Sequence, residues 1–228
     1  MYNIAIIRPV QSARTFSLQW VIANSVGMTL GFPLGLASGV VVGSLVRSIS
    51  DGVYFAVLLA VSGAIIGASF GSLQWLVLQQ HLSQAGRWVL ASTLGLSLSF
   101  LVGISMNEEG GLAVAAGSAA LLLTYWIVLR RRIASAGLWA LTGTVKLAIG
   151  LFVASGVFDF MLDSIGPSGY AAALSSTLGD VMGELAVAGM IGGAASGMSS
   201  AIPTLWLMRR AGSTRANGQK TSRTGIYG

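Results

Sequence analysis

Gln74-Trp75-Leu76-Val77-Leu78-Gln79-Gln80-His81-Leu82-Ser83-Gln84-Ala85-Gly86-Arg87-Trp88-Val89-Leu90-Ala91-Ser92 is a short polar turn held between two tryptophans, with one apolar run leading in and another leading out. The arrangement recurs between Trp126 and Trp139. Each pair is 13 residues apart (88 − 75 and 139 − 126), and the Gln80–Gly86 stretch aligns with Arg131-Arg132-Ile133-Ala134-Ser135-Ala136-Gly137. Working outward, Trp20 opens the first apolar run and Trp206 closes the last, so Trp20, Trp88 and Trp139 open segments while Trp75, Trp126 and Trp206 close them. This alternation predicts three consecutive helical hairpins that all start and end at one membrane face. All six indoles then fall in one belt, where an apolar ring with a polar N–H is expected to act as an interface anchor.

With 54% hydrophobic and 9% charged residues and a mean hydropathy of +0.78, the 228-residue chain is too apolar for a soluble domain of its size. Its uncharged runs are long enough to cross ~30 Å of hydrocarbon at ~1.5 Å per residue. The Arg8/Arg14 head does not make a signal peptide, because the apolar run after it is too long for one. A formal charge of +6 would suggest nucleic acid in a soluble protein. Position explains it better: apart from Arg47 and Lys146, every lysine and arginine precedes the first span, lies in the second or fourth loop, or sits in the tail. Asp51, Glu108, Glu109, Asp159, Asp163, Asp180 and Glu184 fall on or near the other side. The positive-inside rule therefore puts both termini in the cytoplasm, and no nucleic-acid partner is expected. The absence of cysteine excludes disulfides, thiolate catalysis and cysteine metal sites.

The expected architecture is all-α: six transmembrane helices, as three tandem two-helix repeats (about 16–80, 85–132 and 136–210) around a pseudo-threefold axis along the membrane normal. Residues 1–15 form a cytoplasmic N-terminal segment, and 211–228 read as a basic, flexible cytoplasmic tail resting near anionic lipid. Glycine recurs every four residues at Gly27, Gly31, Gly35, Gly39 and Gly43, at Gly63, Gly67 and Gly71, and at Gly189, Gly193 and Gly197. Such stripes let another backbone approach closely, and they are expected to be helix-packing surfaces within the chain or toward a partner. Pro33 and Pro203 should kink or break their helices, and the long outer loop after Phe158 has room for a short interfacial helix.

Gly67-Ala68-Ser69-Phe70-Gly71 matches the nucleophile-elbow pattern, but that motif needs a strand–turn–helix and this one lies mid-span. His81, the sole histidine, sits in a polar turn and reads as a solvated surface residue rather than a pigment or haem ligand. No metal site is expected. Lys146 is the sharpest residue: it stands seven places after an opening tryptophan, where the other two segments have Gly27 and Gly95. A charge at that depth costs ~2.5–3.5 kcal/mol and usually faces the protein interior or marks a site. Glu184 is its candidate partner, ~10–15 Å away by helical rise; the other reading is a lysine that snorkels or loses its proton. Lys146, Glu184 and Asn24 are the candidate ligand-binding residues. No cofactor is predicted, although grooves between the helices could hold pigment or lipid.

The run from Gln74-Trp75 through Ala85-Gly86-Arg87-Trp88-Val89-Leu90-Ala91-Ser92 resembles a repeat in uncharacterised multi-pass bacterial membrane proteins, several from phototrophs. The resemblance covers spans two and three well and spans four and five more loosely. It implies a fold and no activity. Three two-helix repeats are also a feature of mitochondrial carriers, but the Pro-x-Asp/Glu-x-x-Lys/Arg signature of that family is absent from every odd span.

Two functions follow as expectations. One is a non-enzymatic accessory or scaffold subunit, packing against a protein partner in a larger membrane complex. The alternative is a small-solute transporter, or its membrane substrate-binding component, using Lys146 as an anion handle. A lipid-acting enzyme working with the outer acids ranks third.

Overall fold

The computed structural model describes residues 12–81, 85–105, 110–130, 136–165 and 178–224, and these contain helices and no strand. The helices are α1 (Ala13–Ser44), α2 (Asp51–Leu78), α3 (Gly86–Ser105), α4 (Gly110–Leu129), α5 (Ala136–Ile165) and α6 (Leu178–Thr224). Serines start the first two. Ser12 Oγ accepts from Thr15 N, and Ser50 Oγ accepts from Val53 N at 3.2 Å, each satisfying an amide that the first helical turn leaves unpaired. Three helices contain a segment long and apolar enough to cross a membrane: Ala13–Ser44, Asp51–Leu78 and Met182–Leu207.

Each helix packs against the next in chain order, and α6 packs back against α1. The six therefore close into a ring. The glycine stripes lie at its junctions. A Cβ at Gly31 would stand 3.3 Å from Ile66 Cα on α2, one at Gly67 only 2.3 Å from the Ser92 carbonyl oxygen on α3, and one at Gly193 2.5 Å from the Asn24 carbonyl oxygen on α1. Gly150 brings α5 equally close to α6, where its Cβ would be 2.8 Å from the Gly192 carbonyl oxygen. Backbones at that spacing leave no room for any side chain, so these three stripes are occupied inside the chain.

The ring is apolar on both sides. Its core is built on residues such as Phe16, Met28, Ile66, Phe70 and Leu96, with Asn24, Gln74, Ser92, Lys146, Ser196 and Ser200 buried among them, while Leu18, Ile22, Val26, Leu30 and Leu34 form an exposed line down α1. Large apolar side chains on the outside need a solvent as apolar as themselves, which hydrocarbon is.

One expectation needs correction: residues 211–224 continue α6 as helix, where a flexible tail was expected. Extending a formed helix adds one hydrogen bond per residue without the cost of a new nucleus. Pro33 and Pro203 lie inside helices that continue past them, so neither breaks its helix. The expected interfacial helix and Glu108 and Glu109 lie outside the described residues.

Candidate functional site

The opening tryptophans do not face headgroups. Trp20, Trp88 and Trp139 are 0%, 4% and 2% exposed, inside the ring, which overturns their expected role as interface anchors. Two find indole partners there: Trp20 Nε1 donates to Ser200 Oγ at 2.9 Å, and Trp88 Nε1 donates to Gln74 Oε1. An indole whose N–H is met by a neighbouring helix has no need of the aqueous interface. Of the closing tryptophans, Trp126 and Trp206 are exposed and Trp75 is half-buried. The Arg130 guanidinium lies 4.9 Å from the Trp126 ring centre.

Asn24 ties three helices together. Its Nδ2 donates to the Trp20 carbonyl at 2.6 Å, and its Oδ1 accepts from Gln74 Nε2 at 2.9 Å and from Ser196 Oγ at 3.5 Å. α1, α2 and α6 thus share one buried amide, whose polar atoms are taken up by protein. On the far side of α3, Ser92 Oγ and Tyr125 Oη bond at 2.8 Å. The two sets correspond in register. Asn24 and Ser92 each stand four places after an opening tryptophan, and Gln74 and Tyr125 each stand one place before a closing one. At the third such pair of places stand Gly143 and Leu205, neither of which has a polar side chain. A Cβ at Gly143 would sit 3.6 Å from the Tyr125 ring, so the missing side chain makes room for that ring.

Lys146 occupies the centre. It is 2% exposed, and its Nζ has no hydrogen-bond partner among the described residues, Glu184 included. The expected Lys146–Glu184 pair is therefore not formed. The cause is depth: Gly150 meets α6 at Gly192, and Glu184 lies ~12 Å beyond that level while Lys146 lies ~6 Å short of it. Instead, Nζ stands 4.7 Å from the Trp20 ring centre and 5.2 Å from those of Phe70 and Trp88. A cation over an aromatic face gains ~0.5–1 kcal/mol when exposed and ~2 when desolvated. Contacts of this kind offset part of the ~2.5–3.5 kcal/mol cost of placing a charged lysine at that depth. Trp139 Nε1 and Thr144 Oγ1, also on α5, are buried with no hydrogen-bond partner among the described residues, and the Trp139 ring meets Trp88 edge-on with centres 5.8 Å apart.

Sequence reasoning placed His81 on a solvated surface, but it is 8% exposed and packs against the Phe16 ring at 5.8 Å. It also missed Gln74, Ser92, Tyr125 and Ser200 as interior groups. Counting places from each tryptophan brings out Gln74, Ser92 and Tyr125, whereas Ser200 carries no such signal. Among the described residues no group of three or more His, Asp or Glu could hold a metal ion. Comparison with protein-family models, with curated proteins and with solved structures finds no match to this chain.

Proposed function

We propose that this chain is a non-enzymatic integral protein of the bacterial cytoplasmic membrane, an accessory or scaffold subunit that packs by its outer faces against a larger membrane complex. In this reading all six helices span the bilayer, as three two-helix repeats about a pseudo-threefold axis, with both termini inside. The matched places of Asn24–Gln74 and Ser92–Tyr125 support the repeat. The positions of the basic residues support the orientation.

The observation that carries the functional reading is where the polar groups point. Asn24, Gln74, Ser92, Tyr125, Ser200, Trp20 and Trp88 bond to one another or to backbone inside the ring, so their donors and acceptors hold helices together instead of converging on a substrate. What remains to meet a partner is the apolar outer surface. The glycine stripes are not available for it, since each is already filled by a neighbouring helix of the same chain.

The transporter alternative loses its anion handle. The faces that surround Lys146 Nζ carry the negative side of an aromatic quadrupole and repel an anion. The test is purification from the native membrane in mild detergent, followed by mass spectrometry of everything retained. The subunit reading expects protein partners at fixed stoichiometry, cross-linked through lipid-facing positions such as Leu30 and Ile202. A monodisperse monomer that carries no other protein would refute it.

A further inference from the structure

We propose that Trp20, Phe70 and Trp88 form a binding cage for a primary alkylammonium group, and that the chain fills this cage with its own Lys146. The inference concerns the interior of the ring and stands independently of the subunit reading.

Three features make this a built site. The first is composition: three aromatic faces from three different helices converge within 4.7–5.2 Å of one nitrogen that has no hydrogen-bond partner among the described residues. Ring faces attract cations, repel anions and offer a neutral hydroxyl only a weak O–H···π contact, so the site favours positive charge. The second is anchoring that does not involve the lysine. Trp20 is fixed from its indole edge by Ser200, Trp88 by Gln74, and Gln74 by Asn24. Phe70 is fully buried where α2 passes close to Gly27. The faces therefore stay turned inward when the amine is absent, the condition for a preorganised site. The third is entry. The cage is lined by α1, α2 and α3, whereas the lysine stem comes from α5. The fitting ligand is accordingly an amine at the end of one unbranched alkyl chain.

If this is right, the cage is separable from the residue that fills it. Lys146→Ala removes the Cγ, Cδ, Cε and Nζ atoms, which n-propylammonium replaces. The full-length variant, in detergent micelles or nanodiscs, is melted with and without n-propylammonium, with 1-propanol as neutral isostere and propionate as anion. The expected result is a melting temperature roughly 5 °C or more below that of the unaltered protein. n-Propylammonium restores it saturably, with a matching change in tryptophan emission, while propanol and propionate do not, and the unaltered protein responds to none. Equal rescue by propanol would reduce the cage to an apolar void and overturn the proposal, as would the absence of any rescue by the amine. Should the alanine variant fail to fold, Lys146→Met keeps the length of the side chain without its charge. The cage then requires a lower melting temperature than that of the unaltered protein, and an equal or higher one overturns it.

Discussion

Lys146 Nζ lies 5.2 Å from the centre of the Phe70 ring, so a side chain from α5 reaches the helix that stands opposite it in the ring. Its position follows a size exchange. Seven places after an opening tryptophan stand Gly27 and Gly95, and each meets a bulky residue five places before a closing one: Phe70 in the first case, Leu121 in the second. At the third such pair the sizes reverse in the sequence, Lys146 standing at the glycine's place and Ala201 at the bulky residue's. Lys146→Gly should therefore leave a void and cost about 2–5 kcal/mol, and adding Ala201→Leu should recover part of it. The check is chemical or thermal unfolding of both variants in the same detergent, where a double variant less stable than Lys146→Gly alone would dismiss the exchange.

The glycine junctions allow a sharp contrast. A Cβ at Gly67 would overlap the Ser92 carbonyl oxygen at 2.3 Å, whereas one at Gly183 meets nothing within 4 Å. Gly67→Ala should thus destabilise by about 1–3 kcal/mol. Gly183→Ala should be neutral or slightly stabilising, because alanine is the better helix former by up to ~1 kcal/mol. Parallel unfolding curves measure both, and equal effects would mean that α2 and α3 are not packed this closely.

Gln74 serves two helices at once, accepting from Trp88 and donating to Asn24. Gln74→Leu strands the Trp88 indole N–H and leaves Asn24 Oδ1 only the longer contact from Ser196, for an expected loss of about 1–3 kcal/mol. Asn24→Leu alone should behave similarly, and the double variant should lose less than the sum of the two. A double-mutant cycle reads this coupling directly, and simple additivity would contradict the shared network.

Tyr125→Phe removes only the hydroxyl that bonds Ser92 at 2.8 Å. The expected loss is about 0.5–1.5 kcal/mol. Adding Ser92→Ala should cost little more, since both partners are then gone. Thermal melts of the three variants test this.

Much of this fold was legible in the sequence because hydrophobic length and tryptophan spacing are direct consequences of where the chain sits. The glycine stripes were equally plain, since close backbone approach admits no other residue. What was misread was direction. Trp20 shares a helix face with Gly27, seven residues on, so a tryptophan on the packing stripe had to point inward, yet interface anchoring was assigned to all six by type alone. Glu184 was paired with Lys146 because opposite charges attract, but helix register sets depth, and the two residues stand at different levels. The aromatic cage was not legible at all. Trp20, Phe70, Trp88 and Lys146 lie on four helices, and their convergence depends on the ring being closed.

Closure of that ring by α6 against α1, within one chain, is the claim on which the rest depends. A chain without cysteine allows a clean test. Asn24 Oδ1 and Ser196 Oγ stand 3.5 Å apart across this junction, so cysteines at those two places replace side chains that already meet. The variant Asn24→Cys with Ser196→Cys, oxidised in the membrane and run on a denaturing gel, should form an intramolecular crosslink that thiol reduction reverses, while either single variant stays uncrosslinked. Crosslinked dimers, or no crosslink at all, would contradict the closed ring.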